Sequence, residues 1–167
     1  MATFNRFEEL PVWQEAIKLA DEVYNLTEGP DWKGSYSLRD QLERAALSVS
    51  NNIAEGFERG TTSELLVFLY IARGSAGEVR SMLCFLEHRS SFANFKPQIS
   101  NLKSTAESCS RQLRAWADHL QNTEIKGQRH LNEKSRKQYQ IQKDAAVFKK
   151  KLRESLPEGH PLKRGSE

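Results

Sequence analysis

Apolar residues recur with helical spacing through the first 122 residues, and no stretch alternates with the two-residue period of a strand. The clearest patterns occupy residues 65–86 and 99–120. In the first, apolar residues follow a repeating 4,3 spacing: Leu65, Leu69, Ala72, Ala76, Val79, Leu83 and Leu86. In the second, the spacing is 3,4: Ile99, Leu102, Ala106, Cys109, Leu113, Trp116 and Leu120. Both average about 3.5 residues per turn, which predicts two helices packed with a left-handed bundle geometry.

Two earlier segments supply the other helices of a bundle. The first runs from Pro11 to Leu26. Its residues predicted to face the core of the bundle are Trp13, Ala16, Ile17, Ala20, Val23 and Tyr24. The second opens with Ser37 as its N-cap and directs these inward: Leu38, Leu42, Ala45, Val49 and Ile53. The connections near residues 29–36, 57–62 and 89–97 are short, so successive helices should be antiparallel neighbours. The sequence therefore predicts an all-α, antiparallel up-down-up-down four-helix bundle over residues 1–122.

Residues 123–167 differ in charge from the predicted bundle. Residues 1–122 contain 13 Lys and Arg against 16 Asp and Glu, a balance of −3, whereas residues 123–167 contain 12 against 6, a balance of +6. A 4,3,4 apolar spacing within this extension predicts a fifth helix near residues 131–155, with these members: Ile141, Ala145, Phe148 and Leu152. Prolines and glycines then predict a disordered end. We expect a second region that is part helix and part disordered.

The basic residues of the extension are the candidates for nucleic-acid binding, because clustered cations bind polyanions by releasing counterions. They are Arg129, Arg136, Lys137, Lys149, Lys150, Lys151 and Arg153. The alternative is a solvated helix face that contacts nothing, and the sequence leaves both open.

The first half of the third helix carries apolar residues outside its heptad pattern, namely Leu66, Val67, Phe68, Tyr70 and Ile71. A helix in a single bundle buries one stripe, and large exposed apolar patches are uncommon on monomers. This excess predicts cover by a neighbouring subunit or by the extension, and we expect a homo-oligomer.

The sequence lacks the motifs of the enzyme classes we considered: a Walker loop, a dinucleotide fingerprint, HExxH, and histidine or cysteine clusters at metal spacing. We predict no enzymatic activity, no metal and no cofactor.

Cys84 and Cys109 lie beside apolar neighbours and are predicted to be buried free thiols. No apolar run reaches the roughly 20 residues that a bilayer span needs, and the N-terminus lacks a secretory signal pattern. These features predict a cytoplasmic protein without membrane contact.

The segment SVSNNIAEGFERG, residues 48–60, together with the helix that begins TSELLVFLYIARGSAGE, resembles the 23S ribosomal RNA intervening-sequence proteins. The motif residues are Ser50, Asn52, Ile53, Ala54, Glu55, Gly56, Phe57 and Arg59. The likeness begins near Phe7 and extends through the fourth helix. It implies an up-down bundle that commonly forms a homopentamer, related in fold to the accessory variability proteins of diversity-generating retroelements. In those relatives, a basic surface binds RNA and a reverse transcriptase.

The residues of this motif also have a structural interpretation, which we favour. Asn52 would fix helix register through side-chain hydrogen bonds at the edge of the buried pattern. Glu55 would cap or face the start of the third helix near Thr61 and Thr62. Two functions remain: a non-enzymatic oligomeric accessory protein that binds RNA or a ribonucleoprotein, or a protein-interaction scaffold without physiological nucleic-acid binding.

Overall fold

The all-α prediction is confirmed by a computed structural model, which describes residues 4–122 and 133–155. Five α-helices are present, and these two ranges contain no β-strand. Their bounds are α1 Pro11–Thr27, α2 Tyr36–Glu58, α3 Thr62–Glu87, α4 Lys96–Gln121 and α5 Glu133–Ser155. Short 3-10 helices, Phe7–Glu9 and Ser90–Phe95, precede α1 and α4.

Side-chain contacts fix the relative directions of the neighbouring helices. The hydroxyls of Ser48 on α2 and Ser75 on α3 lie 2.8 Å apart, whereas Gln41, earlier on α2, donates to Glu78, later on α3. These two helices therefore run antiparallel. Between α3 and α4, Lys103 donates to Glu87 at 2.7 Å and Gln121 donates to the Tyr70 hydroxyl at 2.6 Å, so α4 reverses direction again. The first helix packs against both α2 and α4, which completes the ring of four helices.

The predicted heptad residues of α3 and α4 form a large part of the core of the bundle. Every predicted inward residue of α3 is buried, as are the first five of α4. At the end of α4 the buried residue is Ala117, whereas Trp116 and Leu120 are only half-buried. The 3,4 pattern therefore drifts by one residue over the last turn, because an α-helix has 3.6 residues per turn and not 3.5.

Three of the sequence predictions are wrong in detail. In α1 the predicted Ala16, Ala20 and Val23 are buried, but the predicted Trp13, Ile17 and Tyr24 are only half-buried. Val12, Leu19 and Leu26 are buried in their place, so the inward face is rotated from the predicted one. The N-cap of α2 is Ser35 and not Ser37, since the Ser35 hydroxyl accepts the hydrogen bond of the Leu38 amide at 3.3 Å. Cys84 is exposed, because it follows the buried Leu83 directly and points away from the core.

The helices α2 and α3 approach each other closely at Gly56, a buried residue near the end of α2. A β-carbon built there would lie 2.7 Å from the β-carbon of Phe68 and 3.1 Å from Cδ1 of Leu65. The β-carbon of Phe68 is fixed to the α3 backbone and cannot rotate away. Gly56 therefore sets how closely the two helices approach.

The chain divides into two compact units, one containing α1–α4 and the other containing α5. The predicted fifth helix near residues 131–155 corresponds to α5, Glu133–Ser155. Residues 123–132 and 156–167 are outside the described part of the chain. The predicted division between residues 122 and 123 lies at the edge of the first of these ranges.

Replacing Gly56 by Ala should destabilise the bundle by about 1–3 kcal/mol, as overpacking of a fixed contact typically does. Gly77→Ala is the matched control, because a β-carbon at Gly77 would meet no atom within 4 Å. It should stabilise α3 by about 1 kcal/mol through higher helix propensity. Urea unfolding at low protein concentration measures both changes, and equal effects of the same sign would contradict the packing described here.

Replacing Leu83 or Leu113 by Ala should cost about 2–5 kcal/mol, because both side chains are fully buried and truncation leaves a cavity. The exposed Val67 on α3 provides the control, since Val67→Ala should change the free energy of unfolding by less than about 0.5 kcal/mol. If Leu83→Ala or Leu113→Ala lowered the free energy of unfolding as little as Val67→Ala does, the buried heptad pattern would be misplaced.

Candidate functional site

The predicted nucleic-acid-binding residues concentrate on α5. The helix carries eight Lys and Arg against three Asp and Glu, a net charge of +5. Lys137, Lys149, Lys150 and Lys151 are exposed on it. Arg136 and Arg153 lie within α5, although their side chains are outside the description, and Arg129 lies in the segment that is not described. The structure thus places six of the seven predicted residues on one helix.

The lysines of α5 do not form a single face. Successive residues of an α-helix are separated by about 100° around its axis. Lys149, Lys150 and Lys151 therefore project in three directions spread over about 200° of the helix. The exposed Glu154 lies in the same two turns. Such an arrangement can contact phosphates on a polyanion without selecting its orientation, which suits electrostatic binding and not base recognition.

The predicted apolar stripe of α5 is exposed. Ile141 and Phe148 are each 67% accessible, and Leu152 is 41% accessible. Val147, outside the stripe, is also exposed. Phosphate binding does not require these side chains, so α5 combines a basic surface with unburied apolar area.

The bundle surface offers fewer free cations. Many of its arginines are neutralised by neighbouring carboxylates at 2.6–3.9 Å, and they are Arg6, Arg39, Arg44, Arg59, Arg80, Arg111 and Arg114. Exposed pairs of this kind contribute little to stability. Their effect here is to lower the positive potential of a region whose net charge is already −3.

The first half of the family-like motif forms a polar chain between α2 and α3. The half-buried Asn52 donates from Nδ2 to the carbonyl oxygen and the hydroxyl of Ser48, at 2.7 and 3.0 Å. The Ser48 hydroxyl lies 2.8 Å from that of Ser75, which donates to the carbonyl of Ile71 at 3.1 Å. Because each hydroxyl both accepts and donates, the chain links the two helices in one register. Ser50 is buried and donates to the carbonyl of Leu47 at 3.0 Å.

The second half of the motif joins the end of α2 to the start of α3. Arg59 donates to Glu55 at 2.6 Å, lies 3.9 Å from Glu64 of α3, and stacks 5.1 Å from the centre of the Phe68 ring. The hydrogen bond that Arg59 donates to Glu55, together with the carboxylate charges of Glu55 and Glu64, raises the pKa of Arg59. Glu55 thus pairs with Arg59 and does not cap α3, whose cap is Thr61, hydrogen-bonded to the amide of Glu64.

The structure adds Ser75, which the sequence did not single out, and it gives Phe68, identified from the sequence only as an apolar residue outside the heptad pattern, a contact with Arg59. Both lie one helix away from the motif, so linear spacing gave no signal for these contacts. With Gly56 they show that the motif builds the α2–α3 contact.

A sequence model of the 23S rRNA-intervening sequence protein family matches residues 8–115, more than half of the 167-residue chain. The chain belongs to this family. The matched range covers α1–α3 and most of α4 and excludes α5. The basic helix is therefore an addition to the part that the family model describes.

Among solved structures, the chain is similar to a protein of unknown function from the S23 ribosomal protein family of Bacteroides thetaiotaomicron VPI-5482. The identity is 17%, the TM-score is 0.57, and the match covers 64% of this chain and 97% of that one. At this identity the likeness establishes the fold alone. No curated protein matches the sequence.

Within residues 4–122 and 133–155, no three histidine, cysteine or acidic side chains are grouped so that they could hold a metal ion. In the same two ranges, no helix combines the length and apolar character needed to cross a membrane.

The two cysteines should differ sharply in reactivity. Burial, with a smaller contribution from the charge of Glu15, raises the pKa of Cys109 to about 12, whereas Cys84 is exposed. Because the thiolate is the reactive species, a thiol reagent at pH 8 should modify one cysteine per native chain and two per unfolded chain. Mass spectrometry should locate the native modification at Cys84, and rapid native labelling of Cys109 would contradict the described core.

Proposed function

We propose that this protein is a non-enzymatic accessory protein that binds RNA or a ribonucleoprotein, with α5 supplying the phosphate contacts and the four-helix bundle supplying self-association. The observation that carries the proposal is the separation of charge: exposed lysines lie on a helix of net +5, whereas the bundle has a net charge of −3 and many paired arginines.

The family supports an RNA-related role, since its description refers to an intervening sequence of 23S rRNA. We therefore propose ribosomal RNA, or a particle that contains it, as the first ligand to examine. A reverse transcriptase is a further candidate partner, proposed only from the resemblance to the accessory proteins of retroelements.

Self-association would increase the affinity of a weakly binding helix. A few lysine–phosphate contacts bind weakly at physiological salt, but copies of α5 held together act at a high effective concentration on one RNA. The resemblance implies five copies, and that number stays a prediction. Four large apolar residues of α3 are exposed, and this unburied area supports association itself: Val67, Tyr70, Ile71 and Phe85.

A protein-interaction scaffold is the second candidate. It is favoured by the exposed Ile141 and Phe148 of α5, since apolar side chains contribute to protein docking and not to phosphate contact. In that function, the lysines would keep the helix soluble or contact an acidic protein.

We expect weak RNA binding with little sequence preference and a steep dependence on salt. Each phosphate contact to a single strand should contribute a slope of roughly −0.7 in log K against log salt concentration. Changing Lys149, Lys150 and Lys151 together to Gln should weaken binding at low salt and make this slope shallower by roughly 2. Fluorescence anisotropy with a labelled RNA measures both quantities.

A matched control removes the same charge from the bundle by changing Arg44, Arg111 and Arg114 to Gln, all of which are exposed. This variant should bind RNA almost as the unmodified protein does. Truncation after Asn122 should abolish binding, because it removes a net charge of +6. Equal affinity of the intact and truncated proteins would move the site to the bundle, and no binding by either would favour the scaffold.

A further inference from the structure

The apolar stripe of α5 consists of Ile141, Ala145, Phe148 and Leu152, and all four are exposed. At about 100° per residue, these residues lie within roughly 60° of the helix circumference. Their 4,3,4 spacing is that of the a and d positions of a coiled coil. Because helices in proteins are stabilised mainly by burial of one apolar face, the stripe indicates that α5 packs against another helix.

The opposite side of α5 is basic. Lys150, which is exposed, lies about 180° around the helix from Ile141. Arg136 and Lys143 precede Lys150 at intervals of seven residues, so their positions fall in the same row along the helix. Burial of the apolar stripe would therefore leave this basic row available to phosphates.

We propose that the α5 helices of neighbouring copies of this chain pack in parallel through their apolar stripes and form a short coiled coil. The inference rests on the self-association proposed above and assigns the α5 stripe to it. Copies related by rotation about one axis have the same direction along that axis, so helices that meet near the axis run parallel. The stripe spans only about three turns, but copies already held together by the bundle are at a high effective concentration.

The residue types of the stripe fit an assembly of more than two helices. The 4,3,4 spacing places Ala145 and Leu152 at a positions and Ile141 and Phe148 at d positions. In parallel coiled coils, leucine at a combined with isoleucine at d favours trimers and tetramers over dimers. The stripe therefore favours a higher oligomer, in the same direction as the five copies that the resemblance implies.

The flanks of the stripe are complementary in charge. Asp144 occupies the g position and Lys149 the e position of the same repeat, and both are exposed. In a parallel coiled coil, a residue at g meets the residue five positions later, at e, on the neighbouring helix. Asp144 would therefore pair with Lys149 of the next copy. Within one helix the two residues flank the stripe on opposite sides, so this ion pair requires two copies.

Two adjacent alanines allow a matched cross-linking test in the full chain. Ala145 lies in the stripe and Ala146 lies about 100° away from it, and both are exposed. With Cys84→Ser removing the exposed native thiol, Ala145→Cys and Ala146→Cys are each treated with a short bismaleimide. Copies should be joined roughly tenfold faster through Ala145→Cys, because reaction rate depends on how the two thiols are oriented. Equal rates would overturn the proposal.

A second pair of variants tests which side of α5 makes the contact. Phe148→Glu, added to Ala145→Cys, should slow cross-linking to the rate of Ala146→Cys, because it places a charge within the buried stripe. Val147→Glu changes the adjacent residue, which is 47% accessible and outside the stripe, and should leave the rate unchanged. An equal loss in both variants would show that the stripe does not make the contact.

A charge exchange tests the parallel pairing. Asp144→Lys and Lys149→Asp should each slow cross-linking of Ala145→Cys by a factor on the order of three, the size expected for an exposed ion pair. The double variant should restore the original rate, since it exchanges the charges between the two positions. A double variant no faster than the single variants would exclude the pairing of Asp144 with Lys149.

Sedimentation equilibrium and RNA anisotropy on the same variants separate this inference from the proposed function. A monomeric unmodified chain at micromolar concentration would overturn both the self-association and the α5 contact. An oligomer without preferential cross-linking at Ala145→Cys would overturn the α5 contact alone. Preferential cross-linking in a protein that does not bind RNA would support the α5 contact and overturn the RNA-binding function.

Discussion

Burial of the heptad residues of α3 holds the bundle together, because this helix contacts α2 along one side and α4 along the other. Its inward leucines, alanines and valine are completely or almost completely removed from solvent. Polar contacts then set the register on each side. The Asn52–Ser48–Ser75 chain joins α2 to α3, and the Lys103–Glu87 pair joins α3 to α4. Removing apolar area from water supplies the stability, and the hydrogen bonds specify which turns meet.

The same helix explains how the family-like motif acts. Gly56 lets α3 approach α2, and Arg59 fixes the turn between them by contacting Glu55, Glu64 and the Phe68 ring. The motif thus has a structural role, because it holds α2 and α3 together. The basic residues lie elsewhere, on α5, outside the range that the family model matches. This division agrees with the proposed function, in which the shared bundle carries an added helix for phosphate contacts.

The sequence was sufficient to predict the helices and most of the core, because burial on one face imposes a spacing that a single chain reveals. It was less successful for features that depend on the third dimension. Cys84 and Leu83 are neighbours in sequence, yet one is exposed and the other buried, and an apolar neighbourhood alone did not distinguish them. Ser75 pairs with a residue 27 positions away, so no local pattern revealed it. The Ser35 cap was missed because Ser35 and Ser37 are both suitable residues.

Native-state hydrogen exchange tests the central claim most directly, since the contact between α2 and α3 should make both helices the most stable part of the bundle. The slowest amides should lie in residues 45–56 of α2 and 65–83 of α3, with exchange that reports global unfolding. Faster exchange is expected at the start of α1. Slow exchange confined to α1 and α4, with α2 and α3 opening by local fluctuation, would contradict the account.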